Sequence, residues 1–226
     1  MKVTLVSSSQ PSKELADQGI VNAQELVAYC ARVSNPANQN NTDTSEKLIR
    51  YLIKHQHWSP LEMVSACLEI ETTRDIARQI LRHRSFSFQE FSQRYAVADL
   101  GWDYKEARLQ DTKNRQNSIE ILQTDGDQGA EIAAWWDSKQ KFVTTVVEDI
   151  YAEAISRGIA KEQARAVLPE GITTSRLYMQ GTLRSWLHYI ELRSGPETQK
   201  EHREVAQACA SALESIFPMV TEFLVK

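Results

Sequence analysis

The residues of this sequence best suited to chemistry are its arginines, because two stretches of the chain contain arginine and no lysine. From residue 55 to 104 they are Arg74, Arg78, Arg82, Arg84 and Arg94, and from 162 to 199 they are Arg165, Arg176, Arg184 and Arg193. A guanidinium can grip a phosphate or carboxylate through two parallel hydrogen bonds. The stretches therefore predict binding of anionic groups. For any single arginine, a structural ion pair with a carboxylate such as Glu62, Glu69, Asp75 or Glu191 is an equal alternative.

The first stretch centres on the run Arg82-His83-Arg84-Ser85. On the helix expected before it, Gln79, Arg82 and His83 are neighbours at i, i+3 and i+4. In the extended segment that follows, we expect Phe86 and Phe88 to face one way, and Glu90, Ser92 and Arg94 to share the other face. A carboxylate, a hydroxyl and a guanidinium in a row suit a ribose, a base edge and a phosphate. A solvated edge strand would show the same pattern.

The second stretch places Arg184 and His188 at i and i+4 on a predicted helix, with Arg193 near its end. A cation at a helix C-terminus also has a simple explanation in the helix dipole. His188, between Leu187 and Tyr189, is equally compatible with a hydrogen-bonded core histidine. These residues therefore support anion binding only in combination with the first stretch.

The elements that must position these side chains alternate between strands and helices. We predict strands at 2–7, 63–71 and 172–180, and helices at 23–33, 45–55, 74–83, 130–157, 182–193 and 197–216. Residues 99–130 are polar and predict a long surface excursion with at most one short helix. The order favours an α+β fold with a modest antiparallel sheet flanked by helices. The long helix has an apolar stripe that would pack either within the chain or on another subunit.

Length and composition indicate one globular domain spanning residues 1–226, with 42% hydrophobic and 25% charged residues. The net charge is 26 − 30 = −4, which argues against nucleic acid or an anionic membrane as a partner of the whole surface. Cys30, Cys67 and Cys209 form no CxxC pair, as expected for reduced thiols in the cytoplasm. No run of about 18 apolar residues predicts a membrane span.

Taken together, these motifs resemble the flavin-dependent thymidylate synthases, or thymidylate synthase complementing proteins. The family signature, Arg-His-Arg followed by seven residues and Ser, is present as Arg82-His83-Arg84-SFSFQEF-Ser92. Further matches are His57-Trp58-Ser59-Pro60, Ala164-Arg165-Ala166-Val167-Leu168-Pro169 and Leu183-Arg184-Ser185-Trp186 through Arg193. The resemblance implies methylation of dUMP to dTMP, with methylenetetrahydrofolate as carbon donor, NADPH as reductant and FAD as hydride carrier. It also implies a homotetramer whose active sites are shared between subunits.

The resemblance assigns site residues position by position. The implied FAD contacts are Ser59, Arg82, His83, Arg84, Glu90, Thr182, Arg184 and His188. The implied dUMP contacts are Gln79, Arg82, Glu90, Ser92, Gln93, Arg94, Arg165 and Arg193. Arg193 carries the catalytic role, favouring ionisation at the pyrimidine edge. Where some relatives carry Asn, this chain has Thr182 and His188.

Three other classes of protein are alternatives to this prediction. A cysteine-dependent thymidylate synthase needs a thiolate beside cations, and no cysteine adjoins the Arg-His-Arg run. A metal enzyme would have to use His55, His57, His83, His188 or His202 without an HExxH motif. A non-catalytic nucleotide- or nucleic-acid-binding protein would use arginines with interleaved phenylalanines. Ser92 as a nucleophile would have only Glu90 as a nearby base.

Overall fold

In the two central strands of the molecule, buried side chains alternate with more exposed ones. The computed structural model describes residues 1–98, 101–121 and 126–225. Strand β2 is Ser65–Thr73, and β6 is Thr174–Thr182; they pair antiparallel with Leu68 opposite Met179. Strand β1 (Lys2–Ser8) pairs with β2, and β3 (Ser87–Glu90) pairs with β6. The resulting antiparallel sheet has the order β1-β2-β6-β3.

The sheet positions the arginine-rich helices because each central strand passes directly into a helix. Strand β2 continues into α4 and β6 into α7. The α-helices are α1 (Lys13–Asp17), α2 (Ala23–Ala31), α3 (Ser45–Lys54), α4 (Arg74–Ile80), α5 (Gly126–Ser156), α6 (Lys161–Ala164), α7 (Leu183–Ser194) and α8 (Lys200–Leu213). Helices α4, α7 and α8 share one buried core with the sheet. In that core the Trp186 indole donates a 3.1 Å hydrogen bond to the Ala66 carbonyl.

The predicted α+β class, with a small antiparallel sheet and one long helix, is confirmed. Both central strands begin and end two residues later than predicted. At the end of β2, Thr72 and Thr73 are buried and β-branched, which favours strand. Within residues 101–121 the excursion forms no helix. It forms a hairpin of β4 (Arg108–Gln110) and β5 (Ser118–Glu120). Residues 99–100 and 122–125 of the predicted excursion lie outside the described residues.

The predicted faces of the segment after the Arg-His-Arg run are wrong. Phe88 lies opposite Met179 and Glu90 opposite Leu177, and both of these β6 residues are buried. A strand repeats every two residues, so Phe88 and Glu90 share one face. The strand ends at Glu90, and Ser92 and Arg94 therefore do not continue it.

Helix α5 leaves its apolar stripe exposed. Gln140, Thr144 and Tyr151 lie on its buried side. The exposed large apolar residues are Trp135 (57%), Trp136, Phe142 (67%), Val143, Val146 and Ile150. At about 100° per residue they fall within an arc of about 120°. None of the helices described here is long and apolar enough to span a bilayer.

Candidate functional site

The structure divides the nine arginines of the two stretches into paired and unpaired groups. Five form ion pairs: Arg74 with Glu90, Arg78 with Glu170, Arg94 with Glu162, Arg176 with Glu71 and Arg184 with Glu62. Within residues 1–98, 101–121 and 126–225, the other four have no carboxylate partner: Arg82, Arg84, Arg165 and Arg193. Structural ion pairing thus accounts for five of the positions. The other four guanidiniums are available to an anionic ligand.

His83 and Arg193 are joined by a hydrogen bond between the two arginine-rich stretches. Arg193 Nε donates to His83 Nε2 at 3.0 Å. Burial, with the charges of Arg193 and His188, lowers the pKa of His83 to about 4, so the ring is neutral at pH 7 and accepts this bond on Nε2. Among the described residues, the terminal nitrogens of Arg193 have no hydrogen-bond partner. They are free to bind a ligand.

Three further side chains surround this pair. The edge of Tyr189 meets the His83 ring at a centroid distance of 4.9 Å. His202 Nε2 lies 3.1 Å from the Tyr189 hydroxyl, and His202 Nδ1 lies 3.2 Å from Gln79 Oε1. We call Gln79, His83, Tyr189, Arg193 and His202 the His83 cluster. It brings together three predicted site residues from α4, α7 and the loop after α4.

A second group of predicted residues collects around Glu162. Arg94 Nε lies 3.5 Å from the Glu162 carboxylate, and Arg165 Nε donates to the Glu162 carbonyl at 3.3 Å. The Arg94 backbone N–H donates to Ser92 Oγ at 3.4 Å. We call Ser92, Arg94, Glu162 and Arg165 the Glu162 cluster. In the part of the chain that is described, no hydrogen bond or ion pair joins it to the His83 cluster.

Glu90 and Gln93 belong to neither cluster. Glu90 Oε1 accepts a 2.8 Å hydrogen bond from Ser175 Oγ and lies 3.5 Å from Arg74 Nη1. These contacts hold the carboxylate against its own sheet. Gln93 is 4% exposed and lines a cavity of about 540 Å³ next to Arg176.

Two of the eight predicted flavin contacts, Arg184 and His188, line a cleft beside α7. The cleft has a volume of about 450 Å³ and is lined by Trp58, Glu62, Ser85, Arg184, Ser185, His188 and Glu191. Ser185 Oγ donates to the Ser85 carbonyl at 3.3 Å, which keeps the Arg-His-Arg run beside this helix. Ser59 begins the short 3-10 helix Ser59–Glu62. The Thr182 hydroxyl is already engaged, since it accepts from the Ser185 N–H as the N-cap of α7.

Comparison with known proteins decides which family this arrangement belongs to. The family model for thymidylate synthase complementing protein matches residues 16–219. The chain belongs to this family. It is 45% identical over 224 residues to the probable flavin-dependent thymidylate synthase of Paramecium bursaria Chlorella virus 1, and 46% identical over 224 residues to the flavin-dependent thymidylate synthase of Synechocystis sp.. Each alignment covers 99% of both chains.

Solved structures agree with this family assignment. The UMP/dUMP methylase PolB from Streptomyces cacaoi, crystallised with 5-Br dUMP, superposes with a TM-score of 0.76 at 26% identity. The match covers 98% of this chain and 93% of PolB. The resemblance carried by the Arg-His-Arg signature is thereby confirmed.

The cysteines of this flavin-dependent thymidylate synthase family member are poorly suited to nucleophilic attack. Burial raises the pKa of the Cys30 and Cys67 thiols and raises that of Cys209 far more. A thiolate nucleophile needs the opposite shift. Among the described residues, the structure groups no three His, Cys, Asp or Glu side chains that could hold a metal ion.

His202 and Tyr189 are the members of the His83 cluster that sequence reasoning missed. His202 was considered only as a possible metal ligand, yet its side chain is fully buried. One signal was available. Position 202 lies three, four and seven residues before Val205, Ala206 and Cys209, on the buried stripe of α8. A histidine on such a stripe must find hydrogen-bond partners.

Proposed function

We propose that this chain methylates dUMP to dTMP, using methylenetetrahydrofolate as carbon donor, NADPH as reductant and FAD as hydride carrier. The similarity over 99% of two flavin-dependent thymidylate synthases carries this conclusion. Arg82, Arg84 and Arg193, which have no carboxylate partner among the described residues, support it, because every proposed ligand is an anion.

Arg193 is the residue proposed to act on the pyrimidine. Its Nε donates to His83, and its terminal nitrogens, which have no partner among the described residues, are proposed to meet the edge of the uracil ring. There a fixed positive charge stabilises negative charge that develops on the ring. His83 positions this guanidinium, and it accepts the Nε–H only while its imidazole is neutral.

Arg184 and His188 line the α7 cleft, and together with the Arg-His-Arg run they are proposed to bind FAD. Its pyrophosphate requires cations, and Arg84 has no carboxylate partner among the described residues, while His188 is exposed on the cleft wall. The proposed set also includes Arg82, His83, Glu90, Arg184 and Ser59. When bound, FAD supplies hydride transfer, and these side chains bind and orient it. Thr182 is proposed to act mainly through the α7 cap.

We further propose that each active site takes the His83 cluster from one copy of the chain and the Glu162 cluster from another. Five of the eight proposed dUMP residues fall in two clusters that share no direct bond within the described chain: Gln79 and Arg193 in the His83 cluster, and Ser92, Arg94 and Arg165 in the Glu162 cluster. The exposed apolar stripe of α5 supplies a surface for such an assembly. We propose a homotetramer as its final state.

Mixing two inactive variants tests this division. Arg193→Ala removes the His83 cluster's guanidinium, and Arg165→Ala removes one from the Glu162 cluster. Co-expressed in equal amounts, they should recover about one quarter of wild-type dTMP formation, because half of the copies retain each cluster. Mixing Arg193→Ala with Arg82→Ala is the matched control. Arg82 directly precedes His83 in the chain, so both changes fall on the His83 side of the proposed site, and this mixture should recover nothing. Equal recovery in both mixtures, or none in either, would contradict the shared site.

A further inference from the structure

A chain of hydrogen bonds runs from the β4–β5 hairpin to the centre of the His83 cluster. Arg108 on β4 forms an ion pair with Glu201, and Gln199 Nε2 donates to the other Glu201 oxygen at 2.9 Å. Gln79 Nε2 donates to Gln199 Oε1 at 2.8 Å. Gln79 Oε1 then meets His202 Nδ1 at 3.2 Å. Every member has a partner on both sides up to the Tyr189 hydroxyl, 3.1 Å from His202 Nε2.

One carboxylate fixes the direction of all these bonds. An ionised carboxylate only accepts hydrogen bonds, so Gln199 must turn its NH₂ toward Glu201 and its oxygen toward Gln79. Gln79 must then turn its NH₂ toward Gln199 and its oxygen toward His202. His202 in turn must carry its hydrogen on Nδ1 and accept from Tyr189 on Nε2.

These directions require an ionised Glu201, a neutral His202 and a protonated Tyr189, and the environment of each group favours that state. Burial alone would raise the pKa of Glu201, but hydrogen bonds from Arg108 and Gln199 outweigh it and lower the pKa. Burial, with the charges of Arg193 and His83, lowers the pKa of His202 to about 3. Burial raises the pKa of Tyr189 well above its usual value. The carboxylate is therefore ionised, the imidazole neutral and the phenol protonated.

We propose that Glu201 orients the Gln79 amide through this chain and that His202 is a positioning residue which locks the amide from its other side. The inference rests on the proposed contact between Gln79 and dUMP. With Oε1 held by His202 and one hydrogen held by Gln199, the amide has its second Nε2–H left for a ligand. It therefore presents a hydrogen-bond donor, which suits the carbonyl, ribose and phosphate oxygens of dUMP.

The tautomer of His202 tests the direction of the chain. Nitrogen-15 NMR of the enzyme with labelled histidines should show the hydrogen of the His202 ring on Nδ1. The His202 signal is identified as the one that disappears in His202→Asn. Glu201→Gln should allow the whole chain to reverse and move hydrogen to Nε2. Glu204→Gln, an exposed change on the same helix, should leave the tautomer unchanged. Hydrogen on Nε2 in the wild type, or an unmoved tautomer in Glu201→Gln, overturns the proposal.

Binding of dUMP to the flavin-loaded enzyme, measured by calorimetry, tests the positioning role. Gln79→Ala and His202→Leu should each weaken binding about threefold to tenfold, the effect of losing about one neutral hydrogen bond. The double variant should bind as Gln79→Ala does, because His202 acts through Gln79. His202→Asn should recover affinity, since its amide N–H can replace Nδ1–H.

Val205→Ala is the control for a structural effect, because Val205 is fully buried on the same helix. It should lower the thermal unfolding temperature and leave the Kd of dUMP unchanged. Wild-type affinity in His202→Leu, or a further loss when it is added to Gln79→Ala, overturns the positioning role. If His202→Leu does not fold, the effect of Glu201→Gln on the Kd of dUMP, measured with Gln79 present and in Gln79→Ala, provides the same comparison. An unchanged Kd in Gln79→Ala refutes the proposed dUMP contact itself, whatever the tautomer result.

Discussion

Acid should destabilise this protein between pH 7 and pH 5, because His202 is buried as a neutral ring. The pKa of His202 falls from 6.5 to about 3, first through burial and then through the charges of Arg193 and His83. In the unfolded chain the His202 imidazole takes up a proton near pH 6.5, whereas in the folded chain it takes one up only near pH 3. His202 therefore stabilises the fold fully above pH 6.5, and this contribution is lost as the pH falls toward 3.

The loss of unfolding free energy between pH 7 and pH 5 depends almost entirely on protonation of the histidine in the unfolded chain. At pH 5 an unfolded imidazole is almost fully protonated, whereas the folded one is not, so a single buried histidine lowers the free energy of unfolding by about 2 kcal/mol relative to pH 7. This value holds for any folded pKa well below 5. His83, whose pKa is about 4, acts in the same direction, and solvent at its partly exposed ring reduces its share.

Urea unfolding followed by tryptophan fluorescence at pH 7, 6 and 5 measures this loss. All samples have the same protein concentration, because the stability of the proposed homotetramer would depend on it. His202→Asn should be less stable at pH 7 but should lose about 2 kcal/mol less between pH 7 and 5. His55→Asn, a change at an exposed histidine, should follow the wild type. If His202→Asn shows the wild-type pH dependence, the neutral buried state of His202 is refuted.

Three other changes have expected outcomes. Replacing all three cysteines with Ala or Ser should leave dTMP formation largely intact, and a folded but inactive triple variant would restore the thiolate mechanism. Gly181→Ala should lower the free energy of unfolding by about 1–3 kcal/mol, because a Cβ there overlaps the Phe86 ring, whereas Gly171→Ala has no neighbour within 4 Å and should not. Phe142→Glu should dissociate the proposed homotetramer in analytical ultracentrifugation, while Thr145→Glu, outside the apolar stripe of α5, should not. An oligomer that stays intact in Phe142→Glu would exclude this stripe as an interface.

The sequence predicted those parts of the fold in which one face is buried and the other is not. Strand β6 alternates throughout and β2 alternates up to Thr72, and the spacing of apolar residues gave most helices within a few residues. The hairpin at 101–121 was missed because its strands are three residues long and largely exposed. Its turn depends on Asp111, whose carboxylate accepts the N–H groups of Lys113 and Asn114. Such local bonds leave no hydrophobic period to detect.

The prediction for the site succeeded in choosing residue types and failed in some of their partners. Lysine-free stretches indicated anion binding, and Arg82, Arg84 and Arg193 are unpaired among the described residues. The same pattern included Arg78 and Arg176, which form ion pairs with Glu170 and Glu71. Composition cannot separate the two cases, because the partner carboxylates are 92 and 105 positions away in sequence. Only folding brings each pair together.

The direction of the chain from Glu201 to Tyr189 shows why sequence reasoning reached the ligand-binding side chains before the residues that hold them. An arginine in a family signature already indicates that an anion binds there. The roles of Gln199 and His202, in contrast, can be assigned only from the atoms that they contact in the structure. Both amides and the imidazole can donate or accept, so their roles are undetermined until one member is a pure acceptor. Glu201 is that member, and its ionisation depends on Arg108 from a hairpin 93 residues away in sequence. A change in that hairpin should therefore alter dUMP binding without touching the ligand. Arg108→Gln, which weakens the hold on Glu201, is expected to shift the His202 tautomer in the same sense as Glu201→Gln.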